Sequence, residues 1–201
     1  MNSQQQRAEE TRNRILAAAE ERFAQYGYDA TSVAEICRQA GVTKGGFYHH
    51  FSSKQAVFLE LLDQWLGMLD TLLVTYHDAE TPVADELLQI AGMIRHVFRE
   101  ASGRLPMFLE FWNKAAHDSA IWQVAISPYR RYRDFFARLI EAGIANDEFQ
   151  AVDSDVFAQL IVSLAVGVIL QGLMDPHGGD WGKAMHEGMR IILEGIKKRE
   201  E

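Results

Sequence analysis

Apolar residues recur at intervals of three and four along nearly the whole of the 201-residue chain, which is the spacing of one face of an α-helix. In the first such stretch the spacing is kept by Ile15, Ala19 and Phe23. No segment shows the alternation of apolar and polar residues that is typical of a half-buried strand, and no long internal repeat is visible. The pattern predicts an all-α fold.

The breaks in this pattern carry residues that begin and end helices. Gly27 and Gly41 stand where a C-cap glycine is expected. Thr31 and Thr43 are predicted N-caps, and Glu35 lies near the first of them. Helices are therefore predicted at residues 9–26, 32–40, 44–50, 54–73, 82–101, 105–116, 119–145 (kinked or split at Pro128), 153–174 and 181–198.

The charge of the chain is unevenly distributed. The total of 20 Lys plus Arg against 28 Asp plus Glu gives a net charge of −8, which by itself argues against a nucleic-acid partner. Residues 1–55, however, carry seven bases and six acids, whereas residues 56–201 carry thirteen bases and twenty-two acids. We therefore expect two domains, 1–55 and 56–201, with different tasks. We expect only a few cationic side chains to contact DNA: Lys44, Lys54 and either Arg12 or Arg14.

The composition also limits the chemistry. A single cysteine can make no internal disulfide, and we predict that Cys37 is a buried small apolar side chain, a redox sensor being the alternative. His49 and His50 would point about 100° apart on a helix, so they form a poor chelate. We expect no metal, no cofactor and no catalytic residue, because no nucleophile–base or metal-ligand pattern is present.

Neither terminus suggests a membrane segment. The first residues contain no apolar stretch of the kind found in a signal peptide. The apolar run Leu160–Leu170 is shorter than the roughly 20 residues that a spanning helix needs. We expect a cytoplasmic protein without a membrane partner.

The most informative stretch is Thr31–Lys54, in which a short helix, a turn at Gly41 and a second short helix follow one another. This is the helix-turn-helix arrangement, whose second helix enters the major groove of DNA. Phe47 and Phe51 share one face of that helix and are predicted to pack inward. Two adjacent glycines cost a helix about 1 kcal/mol each relative to alanine, so Gly45-Gly46 favours a close backbone approach to DNA, a simple turn being the alternative.

The candidate DNA contacts carry hydroxyl, cationic and ring N–H groups, or a bare backbone, suited to phosphates and base edges. They are Thr31, Ser32, Thr43, Lys44, Gly45, Gly46, Tyr48, His49 and Lys54.

The order and spacing of several segments resemble the N-terminal domain of the tetracycline-repressor (TetR/AcrR-type) family. The resemblance covers about the first 60 residues and rests on 11–19, 27–33, 40–45, 48–51 and 53–54. It implies an all-helical homodimeric transcription factor with an N-terminal three-helix DNA-binding domain. It also implies a larger C-terminal helical bundle that binds a small effector and dimerises. By the same resemblance, the family's DNA-contact positions fall on Thr43, Lys44, Gly46, Tyr48, His49, Lys54 and the helix start at Thr31 and Ser32.

Aromatic side chains crowd residues 98–136. They suit an apolar pocket between helices, but they suit a plain helix-bundle core equally well, and both interpretations stay open for each residue. On the pocket interpretation the effector is a small apolar or aromatic molecule. The candidate lining residues are Phe98, Phe108, Phe111, Trp112, Trp122, Tyr132 and Phe135.

Residues 156–174 contain no charged side chain, and small residues among them would allow another helix to approach closely. We predict that the helices at 153–174 and 181–198 form a four-helix dimer contact across a two-fold axis. The alternative is that 153–174 is the central core helix of a monomer. The candidate interface residues are Val156, Leu160, Ser163, Leu164, Gly167, Val168 and Gln171.

Together these features predict a transcriptional repressor that leaves a pseudo-palindromic double-stranded DNA operator when its effector binds. An activator of the same family and a helical interaction module that keeps the fold without operator binding are the alternatives. An all-α enzyme is the least favoured, since no acid/base or metal set converges in the sequence.

Overall fold

The computed structural model of the chain describes residues 3–76, 81–100, 110 and 113–198. These residues form α1 (Ser3–Tyr26), α2 (Val33–Ala40), α3 (Lys44–His50), α4 (Lys54–Tyr76), α5 (Val83–Gly92), α6 (Ile94–Glu100), α7 (Ser119–Ala145), α8 (Ser154–Met174) and α9 (Trp181–Ile196). The same residues contain no strand, and their isolated antiparallel bridge joins Phe149 to Lys197. The prediction of an all-α fold is confirmed.

The chain forms two compact units. The first comprises residues up to Met68 together with residues 103–124, and the second comprises residues 69–102 together with residues 125–201. The first unit thus contains the helix-turn-helix segment and also a later part of the chain, which the sequence analysis assigned to the second domain.

The core of the first unit lies where α1, α2, α3 and the start of α4 bring their apolar faces together. The side chains that fill it are almost completely buried: Ile15, Phe23, Ile36, Phe47 and Phe58. The rings of Phe23 and Phe58 meet edge to face with 5.6 Å between centroids, and Tyr28 contacts both of them. Each large side chain so buried contributes about 1.5–3 kcal/mol, which holds in place short helices that would not persist alone.

The second unit is organised around α9, which packs on α5 and α8. The buried stripe of α9 consists of Met185, Met189, Leu193 and Ile196. The N–H of Gln150 donates to the carbonyl of Ile196 (2.8 Å), which joins the segment after α7 to the end of α9. The carboxylate of Glu148 accepts the N–H of Val83 (3.1 Å) and so caps α5.

Several helix boundaries differ from the sequence prediction. The predicted helix 82–101 is two helices, α5 and α6, which are separated at Met93. Pro128 lies inside α7 without splitting it, and its ring is buried. α1 begins at Ser3, earlier than residue 9. The predicted helix 105–116 falls mostly outside the described residues.

One face of α8 is exposed although its residues are apolar. Val156, Leu160, Leu170 and Met174 lie along this face and are 40–76% exposed. The stretch 154–172 has a mean hydropathy of 1.8, is 28% buried and is long enough to cross a membrane by length and composition alone. The inference from sequence that the apolar run is too short for a span therefore does not hold. This face needs a covering partner, or else it exposes an apolar patch of a kind that is rare on soluble monomers.

Candidate nucleic-acid interface

The N-terminus of α2 is fixed by a reciprocal capping box. The N–H of Glu35 donates to Ser32 Oγ (3.3 Å), and the N–H of Ser32 donates back to Glu35 Oε2 (2.8 Å). The N-cap is therefore Ser32 and not Thr31, a correction of one residue. These hydrogen bonds lower the pKa of Glu35, so the box is charged at neutral pH. Because the start of α2 is fixed, the turn at Gly41 and the helix α3 begin from a defined position.

Gly41 ends α2 in the left-handed conformation, with φ of 65°, and the cap N–H donates to the carbonyl of Cys37 where the chain reverses. α3 then begins behind Thr43, whose Oγ1 accepts the N–H of Gly46 (3.0 Å). Both boundaries confirm the sequence prediction. Thr43 is thus a structural cap as well as a candidate DNA contact.

The two faces of α3 differ sharply. Phe47 and Phe51 are buried, with 6.1 Å between their ring centroids, as predicted. Lys44, Tyr48 and His49 are exposed on the outside, where Tyr48 leaves 55% of its surface in solvent. A short helix with a buried aromatic face and a polar, cationic face directed to solvent can enter the major groove of DNA.

Gly45 and Gly46 leave the outer backbone of α3 bare. A Cβ on Gly45 would meet only Thr43 Oγ1, at 3.8 Å, which is ordinary van der Waals contact. The protein fold therefore has room for a side chain at this position. Since alanine would stabilise the helix, the glycine is better explained by an external surface that approaches the backbone.

The histidines that follow differ in environment. His49 is exposed, and its ring meets that of His50 edge to face at 5.2 Å. Burial lowers the pKa of His50, and the neighbouring His49 and Arg12 lower it further. His50 is therefore neutral at pH 7 and fits a packing role, whereas His49 is free to face a ligand.

Arg12 and Arg14 are no longer equivalent candidates. The guanidinium of Arg12 is paired with Glu60 at 2.6 Å and lies over the ring of Phe51. Its positive charge is therefore balanced by a carboxylate of the same unit. Arg14 makes no ion pair within the described part of the chain. Its NH1 reaches within 3.9 Å of the Cβ position of Gly41, beside the turn that leads into α3. Arg14 therefore extends the cationic surface of the helix-turn-helix.

We expect Arg14→Gln and Arg12→Gln to affect DNA affinity differently, although each removes one positive charge. Loss of a phosphate contact at Arg14 should reduce the slope of log K against log salt by about 1, whereas the slope for Arg12→Gln should match that of the parent protein. Fluorescence anisotropy with a labelled duplex, measured at salt concentrations between about 50 and 200 mM, checks the difference. Equal slopes for both variants would contradict the assignment of Arg14.

Two other candidates are held inside the unit. Thr31 is 1% exposed and its hydroxyl donates to the carbonyl of Gly27 (2.8 Å), so its side chain cannot contact DNA, which corrects the sequence-based assignment. Lys54 Nζ donates to the carbonyls of Tyr28 (2.6 Å) and Thr31 (2.7 Å). Burial lowers the pKa of Lys54, an effect that Asp29 opposes. One N–H of this ammonium remains, and its use for a phosphate stays a prediction.

The structure describes only part of the predicted effector set. Phe108, Phe111 and Trp112 lie outside the described residues. In the second unit, the ring of Phe98 packs directly against Gly172, the ring of Phe135 meets Phe136, and burial and Asp70 raise the pKa of Tyr132. In the first unit, Trp122 is 39% exposed. Their roles as pocket residues stay predictions.

Four of the seven predicted dimer-interface residues are exposed in the protomer. Val156, Leu160, Ser163 and Gln171 are exposed and Leu164 and Gly167 are half-buried. Val168 is only 5% exposed and packs within its own protomer, which removes it from the predicted interface. It lies about 80° around the helix from Leu160, on the side turned to the core.

Fold and site together define an all-α helix-turn-helix protein of the kind that regulates transcription. Residues 15–61 match the family described as bacterial regulatory proteins, tetR family, and residues 84–194 match the BetI-type transcriptional repressor C-terminal family. The A-factor receptor protein of Streptomyces griseus is 30% identical over 96% of this chain, which spans 66% of the length of that relative.

Two solved structures share the fold. A putative transcriptional regulator from Saccharomonospora viridis in complex with choline has a TM-score of 0.79 and 22% identity, over 95% of this chain and 100% of that one. The SmeT–triclosan complex has a TM-score of 0.77 and 20% identity, over 94% and 92% of the two chains. The chain belongs to the tetR family of bacterial transcriptional regulators, which are soluble DNA-binding proteins and not enzymes.

Proposed function

We propose that this protein is a cytoplasmic homodimeric repressor that binds a pseudo-palindromic operator through α3 and is released by a small organic effector. The observation that carries the proposal is the two-sided construction of α3. Phe47 and Phe51 anchor it, while Lys44, Gly45 and Tyr48 face outward. A two-fold dimer would place two copies of α3 about 34 Å apart, one helical turn of DNA.

The second copy would cover the exposed face of α8. Four apolar side chains, from Val156 to Met174, lie along about 27 Å of one helix face. Ile191 of α9, a helix that packs on α8, is 62% exposed and is a further apolar side chain on the surface of the second unit. Self-association through this face also explains why an apolar helix occurs in a chain of a family of soluble regulators.

The effector would bind among the aromatic residues of 98–136. Two proteins of the same fold were solved with choline and with triclosan. Aromatic side chains can surround an organic cation by cation–π contact and can equally pack against an aromatic molecule. Effector binding would change the separation of the two copies of α3, and a preference of about 3 kcal/mol for the released state shifts the equilibrium more than a hundredfold.

Operator binding is tested with purified protein and duplexes from its own promoter region. At about 50 mM salt we expect binding to one duplex to exceed binding to a scrambled duplex by at least a thousandfold. Equal binding to both would contradict the repressor and leave an interaction module as the better explanation. Thermal shift with choline and with triclosan as probes tests the effector class, since a ligand that binds the folded state raises Tm.

The role of Thr43 is tested by two substitutions that separate its methyl group from its hydroxyl. Thr43→Ser keeps the cap on Gly46 and should leave Tm nearly unchanged while altering the preference between operator variants that differ at a thymine. Thr43→Ala removes both and should also destabilise the first unit by about 0.5–2 kcal/mol. If Thr43→Ser lowers affinity equally for operator and random duplexes, the methyl group does not read a base.

A further inference from the structure

The turn between α1 and α2 is held by residues that come some eighty positions later in the chain. The backbone N–H groups of Tyr28 and Asp29 both point to the carboxylate of Glu110, at 2.6 Å to Oε2 and 3.3 Å to Oε1. Gly27, which begins the turn with φ of 84°, leaves the same carboxylate 3.6 Å from its Cβ position. Two acceptors thus meet two donors, an arrangement that only a carboxylate provides.

Lys114 adds a second contact to the same turn. Its Nζ lies 2.7 Å from Asp29 Oδ1, and this hydrogen bond lowers the pKa of Asp29. The ring of Tyr28 is contacted by two ammonium groups, with 4.7 Å from its centroid to Lys114 Nζ and 4.1 Å to Lys54 Nζ. The peptide groups and the ring of one turn are therefore contacted by three side chains, those of Glu110, Lys114 and Lys54.

The turn is in direct contact with the start of α2. Lys54 binds the carbonyls of Tyr28 and Thr31, and the N–H of Thr31 donates to the carbonyl of Tyr28 (3.3 Å). The next residue, Ser32, is the N-cap of α2. A displacement of the turn must therefore either move the N-terminus of α2 or break these hydrogen bonds. Because α2 and α3 share a core, the position of the turn affects how α3 is presented.

Neither Glu110 nor Lys114 belongs to the buried core of the first unit. Glu110 and Lys114 stand in a segment whose neighbouring residues in sequence include Phe111 and Trp112, which belong to the predicted effector set. An exposed ion pair contributes little stability, about 0–1 kcal/mol. The ion pair of Lys114 with Asp29, together with the contact of Glu110 to two amides of the same turn, is better suited to setting the geometry of the turn than to stabilising the unit.

We propose that Glu110 and Lys114 are positioning residues: they form a latch on the Gly27–Ala30 turn that sets the orientation of α2 and α3 for operator binding. The proposal rests on the operator-binding function proposed above. A displacement of the segment that carries Glu110 and Lys114 changes the contacts of the latch. A change in those contacts changes the affinity of the protein for DNA. Formation of the latch and binding of the operator favour each other, as linkage requires.

The latch itself is tested without DNA, by hydrogen exchange of the Tyr28 and Asp29 amides in the full-length protein. Glu110→Gln is nearly isosteric, but it offers one acceptor to two donors and turns an NH2 group toward an N–H. We expect both amides to exchange at least tenfold faster in Glu110→Gln than in the parent protein. The control, Glu9→Gln, removes the same charge from an exposed site on α1 and should leave both amides unchanged. Equal exchange rates in Glu110→Gln and parent protein would overturn the latch.

The link to DNA is tested by operator affinity and by exchanging the charges. Glu110→Gln should weaken operator binding about tenfold with little change in Tm, and Lys114→Asp should weaken it less. The double variant Asp29→Lys with Lys114→Asp restores the ion pair in reverse and should recover the affinity, which a general loss of stability would not allow. If Glu110→Gln changes exchange but not affinity, the positioning role is overturned. If the parent protein binds no operator, the proposed function fails, while the exchange data still decide whether the latch exists.

Discussion

Leu160→Glu is expected to convert the protein from a dimer to a monomer and to reduce operator affinity by more than a hundredfold. The side chain of Leu160 is 47% exposed on α8, so a single protomer accepts a glutamate there at little cost. Across a two-fold axis the same substitution places two carboxylates in an apolar contact, where burial of unpaired charge is strongly unfavourable. One α3 then binds one half-site alone and loses the effective concentration that links the two half-sites.

Sedimentation or light scattering gives the mass, and fluorescence anisotropy gives the affinity. Asn146→Glu is the control, because it adds the same charge at an exposed position of the second unit that is not part of α8. A dimer that survives Leu160→Glu with full operator affinity would place the interface elsewhere. The exposed face of α8 would then need a different occupant.

Gly45→Ala is expected to raise stability and abolish most operator binding at the same time. The added methyl group meets nothing closer than Thr43 Oγ1 at 3.8 Å, and alanine is favoured over glycine in a helix by about 1 kcal/mol. The same methyl group would project from the outer face of α3 into the space that the DNA backbone or a base edge occupies. We expect Tm to rise by a few degrees and affinity for the operator to fall about tenfold or more.

Gly67→Ala is the matched control for this substitution. Gly67 also lies inside a helix, α4, and a Cβ there would have nothing within 4 Å among the described residues. This variant should gain stability in the same way and keep operator affinity. A Gly45→Ala protein that is more stable and binds the operator as tightly as the parent would mean that Gly45 does not face DNA.

The sequence predicted most of the helix-turn-helix because its signals are local. Gly41, Thr43 and the spacing of Phe47 and Phe51 act within one or two helical turns, where backbone conformation and side-chain direction follow from residue type. The error of one residue at the cap of α2 has the same origin. Thr31 and Ser32 are both good N-caps, but only Ser32 lies three residues before Glu35, the spacing of a capping box, while the Thr31 hydroxyl donates to the carbonyl of Gly27 instead.

The uses of the charged residues could not be predicted in the same way. Arg12 and Arg14 are chemically identical and two residues apart, yet one is paired with Glu60 and the other is left for a partner. Glu110 and Lys114 are four residues apart, the spacing of one side of a helix, but nothing local to them indicates Tyr28 or Asp29. A partner that lies about eighty residues away along the chain is determined by tertiary packing. The local sequence pattern of either segment does not indicate that packing.

The opening periodicity of the chain thus determined the all-α class, the short helices of the first unit and the apolar stripe of α8, because helix formation depends on neighbours three and four residues apart. Tertiary structure alone decided which cations remain for DNA, that Thr31 is internal, and that Val168 faces the core while Leu160 faces solvent. Those choices depend on which segments fold against each other, and the free energy of such contacts exists only once the segments meet.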